Sequence, residues 1–254
     1  SGGGTVANLE VLSIGASNVN AFAGVNGPAS NAGAMGLSLS NVNFALVLGK
    51  VKAPAAPAVA TDLRSFTAVK ASVGSASFIG IEGLTLAVTS LSVDINKGGG
   101  TNGGVTNTTP INFSAAPLVV NTGGGNSLSI GYATTTLKAE GSVDIGVFGF
   151  FYVSGNFAFE KSSRSGVTLS GGGTIPEVEV LTVGASNVNA FAGVNGPASN
   201  AGAMGLSLTG VNFALVLMKV KAPAAPAVAT RRRPRGALAV RGRRWPAWRT
   251  IIAQ

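Results

Sequence analysis

The stretch FTAVKASVGSASFIGIEGLTLAVTSLSVDIN, residues 66–96, decides the fold. On either side of Glu82-Gly83 lies a run of more than a dozen residues, Phe66 to Ile81 and Leu84 to Asn96, rich in Val, Ile, Phe and Thr. Such residues suit a pleated, half-buried surface. Large apolar side chains recur at every second position, Leu84 and Leu86, then Leu91, Val93 and Ile95. That is the period of a strand with one buried face. The phase slips once, within Ala87 to Ser90, as a β-bulge or strand bend requires. Two long runs joined by a glycine turn predict a long, curved antiparallel hairpin.

The turn belongs to a wider motif: Gly-[Val/Ile]-x-Gly, an apolar residue, and further apolar residues eight and ten positions after the last glycine. Gly80 and Gly83 lead to Leu91 and Val93, and Gly146 and Gly149 lead to Phe157 and Phe159. An acid follows in both, Asp94 and Glu160. Gly24 and Gly27 are separated from Gly36 by an insertion, Pro28 to Met35, after which Phe44 and Leu46 keep the same spacing and the phase slips within Ser40 to Val42. Gly193 and Gly196 repeat this, with Gly205, Phe213 and Leu215. About four related hairpins result. Their eight glycines, Gly24, Gly27, Gly80, Gly83, Gly146, Gly149, Gly193 and Gly196, are structural turn positions, and the eight-and-ten residues are expected to face the core.

Residues 1–61 align without a gap on residues 170–230, an offset of 169, and differ at nine positions. Gly15 to Leu39 and Gly184 to Leu208 are identical. A tandem array gives each unit the same neighbour, and so tolerates such duplication where a single enzyme core does not. The chain therefore divides into a complete β-rich unit, 1–169, a truncated second copy, 170–230, and a non-repeat tail, 231–254. The expected class is all-β, an elongated repetitive array of long, curved antiparallel β-hairpins. The alternative, a β-solenoid, needs short strands at a coil of about twenty residues, a register not found here.

At the other end of the hairpins, Ala53 to Pro57, Lys97 to Pro110 and Lys161 to Pro176 are expected to be surface loops, since Pro and Gly clusters end strands. Small residues alternate with large ones along the strands, which predicts that other side chains close the apolar face of the complete unit. The truncated copy lacks the strands that follow Thr61 in the full unit, so its apolar face is expected to be partly uncovered.

The chain has 254 residues, 46% hydrophobic and 11% charged, and contains neither Cys nor His. Disulfides, thiolate chemistry, the usual zinc ligand set and histidine acid/base catalysis are excluded together. No apolar run reaches the ~18 residues of a membrane-spanning helix, so no transmembrane segment is expected. The opening SGGGT has no Met or export signal, and the natural N-terminus is expected to lie upstream.

Gly98 to Gly103 fits Gly-x-Gly-x-x-Gly, but without the strand-to-helix setting that a dinucleotide needs. Glu177 and Glu179, with Glu10 the repeat equivalent of Glu179, are expected to be solvated strand-face charges. The calcium nonapeptide is absent, because the runs Gly98 to Gly104, Gly123 to Gly125 and Gly171 to Gly173 meet no Asp. No catalytic residue, cofactor or metal is assigned.

Eight arginines, Arg231, Arg232, Arg233, Arg235, Arg241, Arg243, Arg244 and Arg249, crowd the last 24 residues beside Trp245 and Trp248, leaving about +1 of the net +9 for the rest. Basic residues interleaved with aromatics suit nucleic acid or an anionic membrane surface. However, the repeat fails abruptly after Thr230, where Asp62 to Phe66 should recur, and the composition becomes that of GC-rich sequence translated out of frame. The tail is expected to be disordered or out of frame, with no nucleic-acid partner.

With VGASNVNAF (183–191), GIEGLTL (80–86) and VSGNFAFEK (153–161) in view, residues 1–230 resemble the tandem-repeat regions of giant bacterial surface or secreted proteins of the adhesin type. The resemblance implies an extracellular, multi-copy β-rich stalk whose partners are neighbouring repeats and an unknown surface or polysaccharide. The function expected is a structural or adhesive spacer without catalysis. The alternative is a hydrophobic β-groove that holds or conveys lipid.

Overall fold

A computed structural model describes residues 5–6 and 8–221; the tail, 231–254, lies outside the described residues. The chain is all-β. Eight strands form one antiparallel sheet: β1 (Leu9–Val25), β2 (Met35–Val51), β3 (Ser65–Ile79), β4 (Leu84–Gly99), β9 (Thr136–Val147), β10 (Phe151–Thr168), β11 (Thr174–Val194) and β12 (Met204–Val220), in that order. The sheet is not closed into a barrel. Between β4 and β9 the chain makes two small hairpins, β5 (Thr101–Asn102) with β6 (Val105–Thr106), and β7 (Leu118–Gly123) with β8 (Asn126–Ile130). These are long hairpins laid side by side, not the short coils of a solenoid.

A line of irregularities crosses the middle of the sheet. Asn18, Asn41, Ser90, Asn187 and Gly210 all have positive φ, and the pairing slips beside Asn18, Asn41 and Ser90 and again beside Asn187 and Gly210. Asparagine suits this line because it tolerates the left-handed region and its amide replaces a lost ladder partner. The Asn18 amide donates to Asn43 Oδ1 at 3.0 Å, and the Asn41 amide to Asn20 Oδ1 at 3.1 Å. The second copy repeats both, from Asn187 to Asn212 and from Gly210 to Asn189.

The bulges keep the apolar positions on one face. Below the bend, Ala16, Phe44, Ala71, Val93, Ala139, Phe159, Val183 and Leu215 stand opposite one another across all eight strands. Above it, Leu86, Ile145, Val153, Ala190 and Leu208 do the same. β9 and β10 pair through the bend without a break, so both rows share a face.

This face is open, which corrects the expectation of closure in the complete unit. Leu12 is 57% exposed, Ile14 45% and Leu48 40%. Phe159 is 38% exposed and Phe157 half-buried, so the eight-and-ten residues do not form a sealed core. The enclosed core lies on the opposite face, at Ala45, Val47 and Ala68, where the β7–β8 hairpin folds back over β1 to β3 with Phe113, Val120 and Ile130. A sheet has two faces, and an insertion distant in sequence chose the one to cover.

Side chains tie the covering hairpin down. Asn96, 1% exposed, donates from Nδ2 to Ile111 O and Thr134 O, both at 3.0 Å, gathering its two ends. The Tyr132 hydroxyl donates its one proton to Asp94 Oδ1 at 2.5 Å and lies 3.1 Å from Val69 O. Ser17 Oγ donates to Thr122 O at 3.2 Å.

Two of the expected loops change. Lys97 to Gly99 still belong to β4. Lys161 to Thr168 and Thr174 to Pro176 belong to β10 and β11, which stay paired as far as Thr168 and Thr174 and leave only Leu169 to Gly173 as a turn. Continued pairing satisfies backbone groups that the Gly and Ser composition alone suggested were unpaired. Ala53 to Pro57 remains a connection.

Candidate functional site

The turn glycines line one end of the sheet. At Gly83 (φ 72°), a Cβ would collide with the Phe148 ring, and the Phe148 amide donates to Gly83 O. Glycine there lets two neighbouring turns touch. Gly80 and Gly149 are turn residues of β3–β4 and β9–β10, whereas Gly146, expected in the turn, is still paired with Tyr152 inside β9. Gly24 and Gly193, also expected in turns, are strand residues paired with Gly36 and Gly205, where a side chain would strike the opposite backbone, while Gly27 and Gly196 lie against the rings of Phe22 and Phe191. Together they form a close-packed rim.

The acids are spread across the sheet, and six of them meet a partner. Lys70, Asp94, Lys138 and Glu160 stand opposite one another on consecutive strands of the face that carries the covering hairpin. Burial, and then the Asp94 carboxylate, hold the Tyr132 phenol well above its ordinary value. Lys138 Nζ lies 2.8 Å from Glu140 Oε2, and this bond raises the lysine and lowers the carboxyl. Asp62 is lowered chiefly by its hydrogen bond from Arg64. Glu10 and Glu179, the same repeat position, choose different partners: Lys50 at 3.2 Å and Lys161 at 3.3 Å. Glu177 meets Lys221 at 2.7 Å. No three metal-ligating side chains converge among the described residues.

The Gly98 to Gly103 run is occupied by the chain itself. A Cβ at Gly98 would strike Thr109 O, and one at Gly100 would strike Leu63 O. The glycines permit the β4–β5 crossing.

An open hollow of about 500 Å³ sits at the bend over β9 to β12, lined by Gly184 and Ser186 of one face and by Phe157, Ala185 and Phe213 of the other. Gly184 and Ser186 are the copies of Gly15 and Ser17, which in the first unit lie beneath β7. At Gly15 a Cβ would run into Asn121 O, whereas at Gly184 the nearest atom is Phe213 O at 3.9 Å. The sequence reading missed the covering hairpin; its signal was the apolar pair of runs, Leu118 to Val120 and Leu128 to Ile130, around Gly123 to Gly125.

The described residues therefore present a glycine-lined rim, an open apolar face, two sheet edges and a hollow at the bend over β9 to β12. No helix among them is long and apolar enough to cross a membrane. No protein-family model, curated protein or solved structure matches the chain.

Proposed function

We propose that residues 1–230 act as a structural or adhesive spacer repeat of a large extracellular bacterial protein and perform no catalysis. One observation carries the reading. Two near-identical hairpins, β1–β2 and β11–β12, have the same register and the same double bulge, yet join the sheet by opposite strands: β2 bonds to β3, and β11 bonds to β10. Superposing the two copies extends the sheet by six strands per 169-residue unit. At the ~4.8 Å strand spacing that is about 29 Å per unit. Neighbouring repeats are then the principal partners, and a surface or polysaccharide ligand would bind along the array. Proteins of one, two and three units test this by small-angle scattering: the long dimension should grow by about 29 Å per unit at constant cross-section. Independent beads or a collapsed particle would refute it.

The open apolar face supports a second reading, a groove that holds or conveys lipid, because soluble monomers seldom expose apolar patches beyond a few hundred Å². Organic extraction of a purified two-unit protein separates the two. Stoichiometric lipid would favour the groove, and lipid-free protein the spacer.

A further inference from the structure

We infer that the bend of β11–β12 is the seat of a second β7–β8 hairpin, that of the following copy of the unit. The inference rests on the array reading and adds to it a specific contact between adjacent copies.

The first copy displays the contact in full. Val120 and Ile130 pack with Ala45, Val47 and Ala68; Ser17 Oγ holds Thr122 O; and Gly15 makes room for Asn121 O. Each seat residue on β1 and β2 recurs unchanged in the second copy, as Gly184, Ser186, Ala214 and Val216. The backbone beneath is the same, with Gly15 opposite Ala45 and Gly184 opposite Ala214. Only the cover differs: Val47 is 3% exposed and Val216 49%. The remaining seat residue, Ala68, belongs to β3, which pairs along the outer edge of β2. The corresponding edge of β12 carries no strand among the described residues. β12 differs from β2 at three of seventeen positions, Thr209, Gly210 and Met218, none of which is a seat residue. A following copy would therefore bring its β3 to the edge and its hairpin to the face together.

The test compares the full chain with an extended protein in which residues 62–169 are repeated after Thr230 in place of the tail. In the full chain, Gly15→Ala should lower the melting temperature by about 2 °C or more, as overpacking does, and Gly184→Ala should leave it unchanged. In the extended protein, Gly184→Ala should become as costly as Gly15→Ala. The chain has no cysteine, so Val216→Cys reports cover directly. Its alkylation should slow at least about tenfold on extension, toward the rate of Val47→Cys. Hydrogen exchange over 204–220 in the unsubstituted proteins reports the edge without any mutation. If β12 gains protection while Val216→Cys stays reactive, the array stands and the seat is overturned. If neither changes, both readings fail. Alkylation protection without a Gly184→Ala penalty means that something else covers the face, and also overturns the seat.

Discussion

The hairpins β1–β2 and β11–β12 share their backbone and most of their sequence, yet their burial is reversed. Val11 is 51% exposed and its copy Val180 5%, whereas Val47 is 3% exposed and Val216 49%. Most hydrogen bonds local to the hairpin recur in both: Asn26 Nδ2 to Gly33 O and Asn195 Nδ2 to Gly202 O are each 3.2 Å. The ion pair of the shared acid does not: Glu10 keeps to Lys50 of its own hairpin, whereas Glu179 turns to Lys161 on the neighbouring β10. Register and bend thus travel with the hairpin, while burial and charge pairing come from whatever stands beside it.

The comparison breaks most severely if the cover is damaged. Ile130→Ala, at a position 0% exposed, should cost about 2–5 kcal/mol in denaturant unfolding and expose Val47 without altering Val216. Tyr132→Phe removes a hydrogen bond to a carboxylate and should cost about 1.5–3 kcal/mol. Because the phenol titrates higher in the folded chain than in the unfolded one, its contribution is fully present below about pH 10. It is lost as pH rises toward the folded value. Stability measured between pH 8 and 12 should therefore show the gap between wild type and Tyr132→Phe narrowing above pH 10.

A matched pair sharpens the contrast. Val47→Ala should cost about 1–3 kcal/mol and Val216→Ala under about 0.5, since only the first leaves a cavity. Equal losses would mean that both faces are packed in solution. The bend should behave oppositely, treating the copies alike. Asn18→Ala and Asn187→Ala, at φ 55° and 51°, should each cost about 1–2 kcal/mol. Smallest of all is Asn41→Gly, a change the second copy already carries at Gly210, expected within about 0.5 kcal/mol.

Much of the local architecture was legible. The phase slips at Ser40 to Val42 and Ala87 to Ser90 mark bulges at Asn41 and Ser90, and the runs flanking Glu82-Gly83 are β3 and β4. Alternation, bulge and turn are properties of a few adjacent residues, so sequence carries them directly. The core was misplaced because period two identifies two faces without saying which will be covered. Phe44 and Leu46 are the larger side chains, yet Ala45 and Val47 are the buried ones.

The sequence by itself determined the all-β class, the duplicated hairpin and two of the places, at Asn41 and Ser90, where the strands bulge. Only the tertiary structure decided that β10 continues to Thr168, that the β7–β8 hairpin covers β1 to β3, and that identical residues are buried in one copy and bare in the other. The physical reason is range. Backbone conformation is fixed by contacts between near neighbours in the chain, whereas burial is a property of surfaces brought together from residues as far apart as Ser17 and Thr122.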